Sequence, residues 1–217
     1  MIDRYYAQLL RCAVKGALAR KGRADIVLPE DVSEITKLAE ELGIKPHYFK
    51  RSALLPRVKK VLGFLTSIAP SSLLDVGSGR GAFLFPCLEA FPYAWITSLD
   101  ILEHRVDLLK CIEQGGMDNF RAIKGDLCVF DAKDNTYEVV TLLEVLEHIP
   151  DVKTAIANAV IMAEKYVVVT VPSEEDDNPE HIHLLTKEKL TAYFNECGVT
   201  RLSFDGVPGH LVMIARI

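Results

Sequence analysis

Several absences narrow what this chain is. Its 217 residues hold five cysteines, at positions 12, 87, 111, 128 and 197, with no C-x-x-C spacing and one left over in any pairing. Neither a disulfide framework nor a zinc knuckle is indicated, and a reducing cytoplasm is the expected compartment. No apolar run approaches the length that crosses a bilayer, and the N-terminus lacks the short apolar core and small-residue cleavage site of a secretion signal, so no membrane partner is expected. Repeats and low-complexity stretches are missing. Aromatic residues are 8% of the chain and do not interleave with a basic cluster, so no separate RNA-binding module is evident.

What is present suits one α/β domain with an appended segment: 49% of residues are hydrophobic, enough for a large core. Charge is divided unevenly. Residues 1–69 carry thirteen Lys/Arg against seven Asp/Glu, whereas residues 70–217 carry 12 against 23. A basic segment therefore precedes an acidic body. Such asymmetry either marks where an anionic acceptor docks or reflects the solvated faces of amphipathic helices.

The first 69 residues read as a helical extension or cap. Tyr5 to Leu18 places Tyr6, Leu9, Leu10, Ala13, Ala17 and Leu18 near one stripe, and this helix is expected to pack on the core. Pro29-Glu30-Asp31 opens a second helix through Leu42, with Gly43 as its stop, and a third runs from Ser52 or Pro56 to Ile68. From residue 70 onward strands and helices alternate as a doubly wound parallel sheet requires. Strands are expected at 73–76, 94–99, 119–123, 137–143 and 166–171, and helices at 80–90, 103–114, 151–164 and 186–197. Two closing runs, 200–204 and 210–217, flank Asp205-Gly206-Val207-Pro208-Gly209 and read as an antiparallel pair.

Residues 73–82, Leu-Leu-Asp-Val-Gly-Ser-Gly-Arg-Gly-Ala, read as a buried strand breaking into a glycine turn that feeds a helix. Gly77, Gly79 and Gly81 let the backbone take positive φ and let a ligand approach closely. A dinucleotide fold wants G-x-G-x-x-G, and here position 82 is alanine. The carboxylate of Asp75 would also repel a pyrophosphate, whereas a cofactor with a sulfonium and an ammonium would welcome it. S-adenosylmethionine has both.

Asp-Val-Gly-Ser-Gly-Arg-Gly, residues 75–81, resembles the first motif of the class I S-adenosylmethionine-dependent methyltransferases, in the generic type-11/23-like branch. The resemblance covers roughly residues 70–217 and implies a mostly parallel seven-stranded sheet with an antiparallel terminal strand. It also implies roles for further residues. Asp100, at the end of the second strand about 20 residues past the glycines, would take the ribose hydroxyls, with Ile101 beside it. Asp126, in Lys124-Gly125-Asp126-Leu127, would accept from the adenine amino group, with Leu127 adjoining. Glu144 would border the methionine end of the cofactor. Taken singly, Asp100 and Asp126 read equally well as a helix cap or a turn residue. Additions before the first motif often shape the acceptor pocket in this family, which makes Tyr5, Tyr6, His47, Tyr48 and Arg51 candidate acceptor contacts beside their plainer use in packing.

Methyl transfer is an in-line displacement at an activated carbon, so holding the acceptor close and aligned supplies most of the acceleration. Where a base is needed, His148 is the candidate, with Glu147 or Glu144 assisting. Glu144, Glu147 and His148 stand at i, i+3 and i+4, on one face if a helical turn begins there. His181 and His183 stand at i and i+2. Two carboxylates with imidazoles suit a divalent ion of the Mg, Mn or Fe(II) type. The E-x-x-E-H arrangement is similar to that of metal-using small-RNA 3′-terminal 2′-O-methyltransferases and ubiquinone-pathway O-methyltransferases, which implies Glu144, Glu147, His148 and His183 as ligands. The plainer reading has Glu147-His148 opening the helix after the fourth strand and His183 bonding a loop. The acidic run Glu174-Glu175-Asp176-Asp177 would repel a polyanion, or serve as a lid.

The expectation is thus a methyltransferase acting on an oxygen, ahead of nitrogen or carbon, of a small-molecule acceptor. A metal-assisted RNA 2′-O-methyltransferase and a cofactor-binding partner subunit without turnover are the alternatives.

Overall fold

A computed structural model describes residues 4–49, 55–131, 135–175 and 177–217. Helices α1 (Arg4–Arg20), α2 (Val32–Glu41) and α3 (Pro56–Ile68) come first. The body follows as β1 (Ser72–Val76), α4 (Leu84–Ala90), β2 (Trp95–Asp100), α5 (Glu103–Gln114), β3 (Phe120–Lys124) and β4 (Tyr137–Leu143). Then come α6 (Val152–Met162), β5 (Ala163–Pro172), α7 (Lys187–Glu196), β6 (Arg201–Val207) and β7 (His210–Arg216). The strands form one seven-stranded sheet in the order β3-β2-β1-β4-β5-β7-β6. Strands β1 to β5 pair in parallel, and β7 runs antiparallel to both β5 and β6. The expected fold class holds, including the antiparallel last strand.

Period-two alternation along the strands separates two cores. Leu73, Ile96, Val139, Val168 and Val212 face the layer of α1, α4 and α5. Their neighbours Leu74, Leu99, Val140, Val167, Val169 and Met213 face α6 and α7. Both faces are covered, which is why these strands are near-continuous apolar runs. The strand order reverses between β1 and β4, and that switch point opens a crevice at their carboxyl ends.

The first N-terminal helix packs on the core. Tyr6, Leu9, Leu10, Ala13 and Val14 of α1 belong to the same buried cluster as β1, α4 and α5. The α1–α5 crossing is close because two glycines replace side chains there: a Cβ on Gly16 would lie 2.0 Å from the Cys111 carbonyl oxygen, and one on Gly115 would lie 1.8 Å from that of Cys12. Helix α2 starts where Asp31 accepts from the Ser33 and Glu34 amides at 2.8 and 3.2 Å and stops at Gly43, φ +79°. The third helix begins at Pro56, in the position where proline is best tolerated. Its alternative start, Ser52, lies outside the described residues, as does Arg51.

Two boundaries differ from expectation. Helix α4 starts at Leu84 rather than 80, because the glycine turn runs on through Gly81, whose φ is +78°. Strand β5 starts at Ala163, taking residues expected to end α6, since Ala163 pairs across to Tyr137 through a register shift.

Candidate functional site

The turn after β1 is held from below by a buried polar network. Asp75 is 2% exposed. One oxygen accepts from the Thr141 hydroxyl of β4 at 2.7 Å, and the other from the Ser78 hydroxyl at 2.6 Å. Ser78 also meets the Ser98 hydroxyl of β2 at 2.7 Å. Burial is the main cause that pushes the Asp75 carboxyl up to about 6, with the two hydroxyls opposing and the charge of Asp100 adding to the rise. Above the network, Gly77, Gly79 and Gly81 have φ of +65°, +58° and +78°. A Cβ on Gly77 would lie 2.7 Å from a Val145 methyl, and one on Gly81 would lie 2.6 Å from the Phe85 ring. The glycine pattern thus serves the turn's own conformation and its packing.

Asp100 closes β2 beside this turn. Its oxygens accept from the Leu102 amide at 2.9 Å and the Gly79 amide at 3.2 Å, and each keeps a spare lone pair. Asp126 follows β3 and accepts from the Cys128 amide at 2.9 Å. Two cavities meet here. The larger, about 430 Å³, has Asp100, Ile101, Asp126, Leu127 and His148 in its wall. The smaller, about 170 Å³, is walled by Asp75, Ser78, Arg57 and Arg80. Gly77, Arg105 and Glu144 belong to both walls. Arg80 stands inside the glycine motif, whereas Arg57 and Arg105 escape a motif reading because they come from α3 and α5.

Glu144, Glu147 and His148 do not share a helical face. Glu144 sits at φ +59°, a left-handed conformation that costs about 1–3 kcal/mol outside glycine. The helical turn covers only Leu146–His148. The Glu144 carboxylate is thereby turned toward β5 and β7, accepting from the Thr170 hydroxyl at 2.7 Å and lying 3.0 Å from His210 Nε2, with Arg57 Nε 4.0 Å away. It lies apart from the predicted ligand set. His183 does too: its Nε2 is buried and has no hydrogen-bond partner among the described residues. His181 takes its place. Ligand atoms of Glu147, His148 and His181 lie within 4.8 Å of one another, and the His148 and His181 rings meet edge to face at 4.8 Å between centroids. His148 Nδ1 lies 2.9 Å from the Glu180 carbonyl oxygen. A carbonyl only accepts, so that nitrogen carries the hydrogen, and in the neutral imidazole the lone pair is then on Nε2.

The candidate acceptor contacts of the N-terminal segment scatter. Tyr6 is fully buried, edge-on to Phe85 at 6.3 Å, and is a core residue. Tyr48 lies beneath Arg80, whose guanidinium is 5.5 Å from the ring centroid, so it adjoins the smaller cavity.

A methyltransferase-domain family model matches residues 47–203. The chain belongs to this family. Among curated relatives, the methyltransferase is 30% identical over 134 residues to a ubiquinone biosynthesis O-methyltransferase of Idiomarina loihiensis, covering 59% of this chain and 53% of that protein. It therefore spans about half the length of that relative. An O-methyltransferase family protein from Burkholderia thailandensis superposes with a TM-score of 0.62 at 15% identity, over 92% of this chain and 61% of the other. Magnesium protoporphyrin IX methyltransferase from Synechocystis, solved with S-adenosylhomocysteine, gives 0.59 at 14%, over 92% and 93%. The chain thus carries the methyltransferase domain, and neighbours of its fold were solved with S-adenosylmethionine or S-adenosylhomocysteine bound. Its crevice fits that cofactor: an adenosyl-sized cavity joins a smaller one lined by both carboxylate and guanidinium groups, as a zwitterionic amino-acid tail requires. Among the described residues no helix is long and apolar enough to cross a membrane.

Proposed function

We propose that this methyltransferase moves a methyl group from S-adenosylmethionine to a hydroxyl oxygen of a small-molecule acceptor, with His148 as the base. The observation that carries the reading is the His148 geometry: Nδ1 is committed to the Glu180 carbonyl at 2.9 Å, and the residue stands in the wall of the larger cavity with Nε2 as its other nitrogen. In this reading Asp100 and Asp126, with Ile101 and Leu127, hold the adenosine. Gly77, Gly79 and Gly81 form the bend around the cofactor. Arg57, Arg80 and Arg105 hold its carboxylate, while Asp75 and Glu144 face its ammonium. Glu147, fully buried behind His148, fixes the imidazole's surroundings. The printed name of the Idiomarina relative, an O-methyltransferase, favours oxygen as the acceptor atom.

The gathering of Glu147, His148 and His181 favours a second use of the same lone pair. One carboxylate and two imidazoles are a donor set for a divalent ion, and a ligating histidine characteristically gives its other N–H to a carbonyl, as His148 does. Such an ion would supply Lewis acidity toward the acceptor hydroxyl. Base and ligand exclude each other at Nε2.

The test uses methyl-tritiated cofactor with fractionated metabolite, RNA and protein pools, run with and without chelator. Label is expected in the metabolite pool, insensitive to chelator if His148 is the base and lost with chelator if it is a ligand. His148→Ala is expected to keep cofactor affinity and lower turnover about a hundredfold. Label entering RNA, or full turnover in the variant, overturns the reading.

A further inference from the structure

Glu144 stands in the walls of both cofactor cavities, and it is held there by two residues that lie outside both walls, Thr170 and His210. Its main-chain N–H donates to the Thr170 carbonyl at 2.9 Å, and its carboxylate accepts from the Thr170 hydroxyl at 2.7 Å. These two bonds fix a left-handed residue, φ +59°. The other carboxylate oxygen lies 3.0 Å from His210 Nε2, and the opposite ring nitrogen, Nδ1, lies 3.0 Å from the Pro208 carbonyl oxygen. His210 is the first residue of β7. The Ser173 amide donates to the Gly209 carbonyl at 3.1 Å, which ties the start of β7 to the end of β5 just before the acidic run 174–177, where Asp176 lies outside the described residues.

Both atoms that face the imidazole of His210 are acceptors: a carbonyl has no hydrogen, and an ionised carboxylate has none. The two contacts are made together when each ring nitrogen carries a hydrogen, and the contact to Glu144 is then charge-assisted. Neither nitrogen is left to take a proton from an acceptor, so the ring serves as a double donor rather than a base. Glu144, in contrast, keeps bonding capacity. Its side chain is 22% exposed, and of the roughly four lone-pair sites of a carboxylate Thr170 and His210 take one each. Arg57 Nε, at 4.0 Å, stands beyond hydrogen-bond distance. Thr170 by itself fixes one oxygen and leaves the carboxylate plane free to turn; a second donor on the other oxygen fixes the plane.

We propose that His210 is a positioning residue for the methyl donor: through Nε2 it holds the Glu144 carboxylate in the orientation from which the free lone pairs meet the ammonium of the cofactor's amino-acid tail. His210 lies outside both cavity walls and acts through Glu144 alone. The proposal rests on the reading given above that Glu144 faces that ammonium.

Two substitutions separate the two hydrogen bonds of the ring. Glutamine carries its amide nitrogen near the place of Nε2, and asparagine carries its own near the place of Nδ1. His210→Gln therefore keeps a donor for Glu144 and loses the one for Pro208, and His210→Asn does the reverse. Calorimetric titration with two ligands reads the outcome: S-adenosylhomocysteine, and 5′-methylthioadenosine, which has the same nucleoside and sulfur without the amino-acid tail. His210→Asn is expected to weaken S-adenosylhomocysteine about tenfold and to leave methylthioadenosine within about twofold, while His210→Gln stays within about threefold for both. Glu144→Gln is expected to weaken S-adenosylhomocysteine about tenfold, and adding His210→Asn to it should cost less than about twofold more. Full S-adenosylhomocysteine affinity in His210→Asn, or an equal loss for both ligands, overturns the positioning role; in the second case the ring only supports the turn before β7. Unchanged affinity in Glu144→Gln overturns instead the placement of Glu144 at the ammonium, and the proposal with it.

Discussion

Replacing Asp75 with asparagine should stabilise this protein at neutral pH while weakening its cofactor site. Buried Asp75 titrates at about 6, against an ordinary value of 3.8. The native state therefore holds that proton more tightly than the unfolded chain. The stability from this preference is complete below pH about 4 and is lost as pH rises through about 6; the difference is worth about 3 kcal/mol. Asparagine has no proton to lose. Its carboxamide also meets a network that can rearrange: Ser78 can turn its hydrogen to Ser98, 2.7 Å away, and accept from the new NH₂, while Thr141 continues to donate to the amide oxygen. Urea unfolding of both proteins at several pH values between about 4.5 and 7.5 checks this, and the difference between them isolates position 75 from other titrations. The variant should gain up to about 3 kcal/mol at the upper end, with the gap closing toward the lower. A variant less stable at pH 7.5, or a gap that does not change with pH, would refute the reasoning.

Glycine substitutions test the packing and the turn. Gly16→Ala places a methyl 2.0 Å from a backbone oxygen of α5, which no side-chain movement relieves, so a loss of about 3 kcal/mol or more in urea unfolding is expected. Gly63→Ala, inside α3 with nothing within 4 Å of the added carbon, should gain about 0.5–1 kcal/mol in the same assay. Gly81→Ala combines φ +78° with a methyl 2.6 Å from the Phe85 ring, and should weaken S-adenosylhomocysteine binding about tenfold or more by calorimetry; unchanged affinity would mean the turn does not shape the cofactor site.

The strands and the switch point were legible because each signal is local. A strand such as Leu73–Val76 announces itself by apolar content and by the glycines that end it, and Asp100 and Asp126 stand where a strand must stop. What escaped depends on partners distant in sequence. Nothing near Glu144 signals a left-handed residue; the conformation is paid for by Thr170 on β5 and His210 on β7. The same bend dissolves the i, i+3, i+4 face on which the four-residue ligand set depended. Period-two reasoning gave His181 and His183 a common direction, but the hydrogen bond from the intervening Ile182 amide to Glu147 sets His181 against His148 and leaves His183 Nε2 in a buried place of its own. The apolar stripe of α1 marked a helix that packs on the core, but the close approach to α5 through Gly16 and Gly115 has no local signal, because the two glycines lie 99 residues apart.

The two halves of the crevice are built with different rigidity. The cofactor half is anchored in the sheet itself: Asp75, Ser98 and Thr141 lie on three adjacent strands, all are at most 2% exposed, and Ser78 ties the turn to them. Removing a hydroxyl from Ser78 or Thr141 takes a hydrogen-bond donor from the buried Asp75 carboxylate, whereas asparagine at 75 keeps every partner. The segment from Glu174 to His183 instead hangs outside the sheet, joined to the His148 turn by the Ile182–Glu147 and His148–Glu180 hydrogen bonds. Both bonds are made to main-chain carbonyls, so the side chains at 174, 175 and 183 can change without loosening either. Replacing them leaves the His148–Glu180 hydrogen bond in place, so this loop can vary in sequence without disturbing the turn that carries His148.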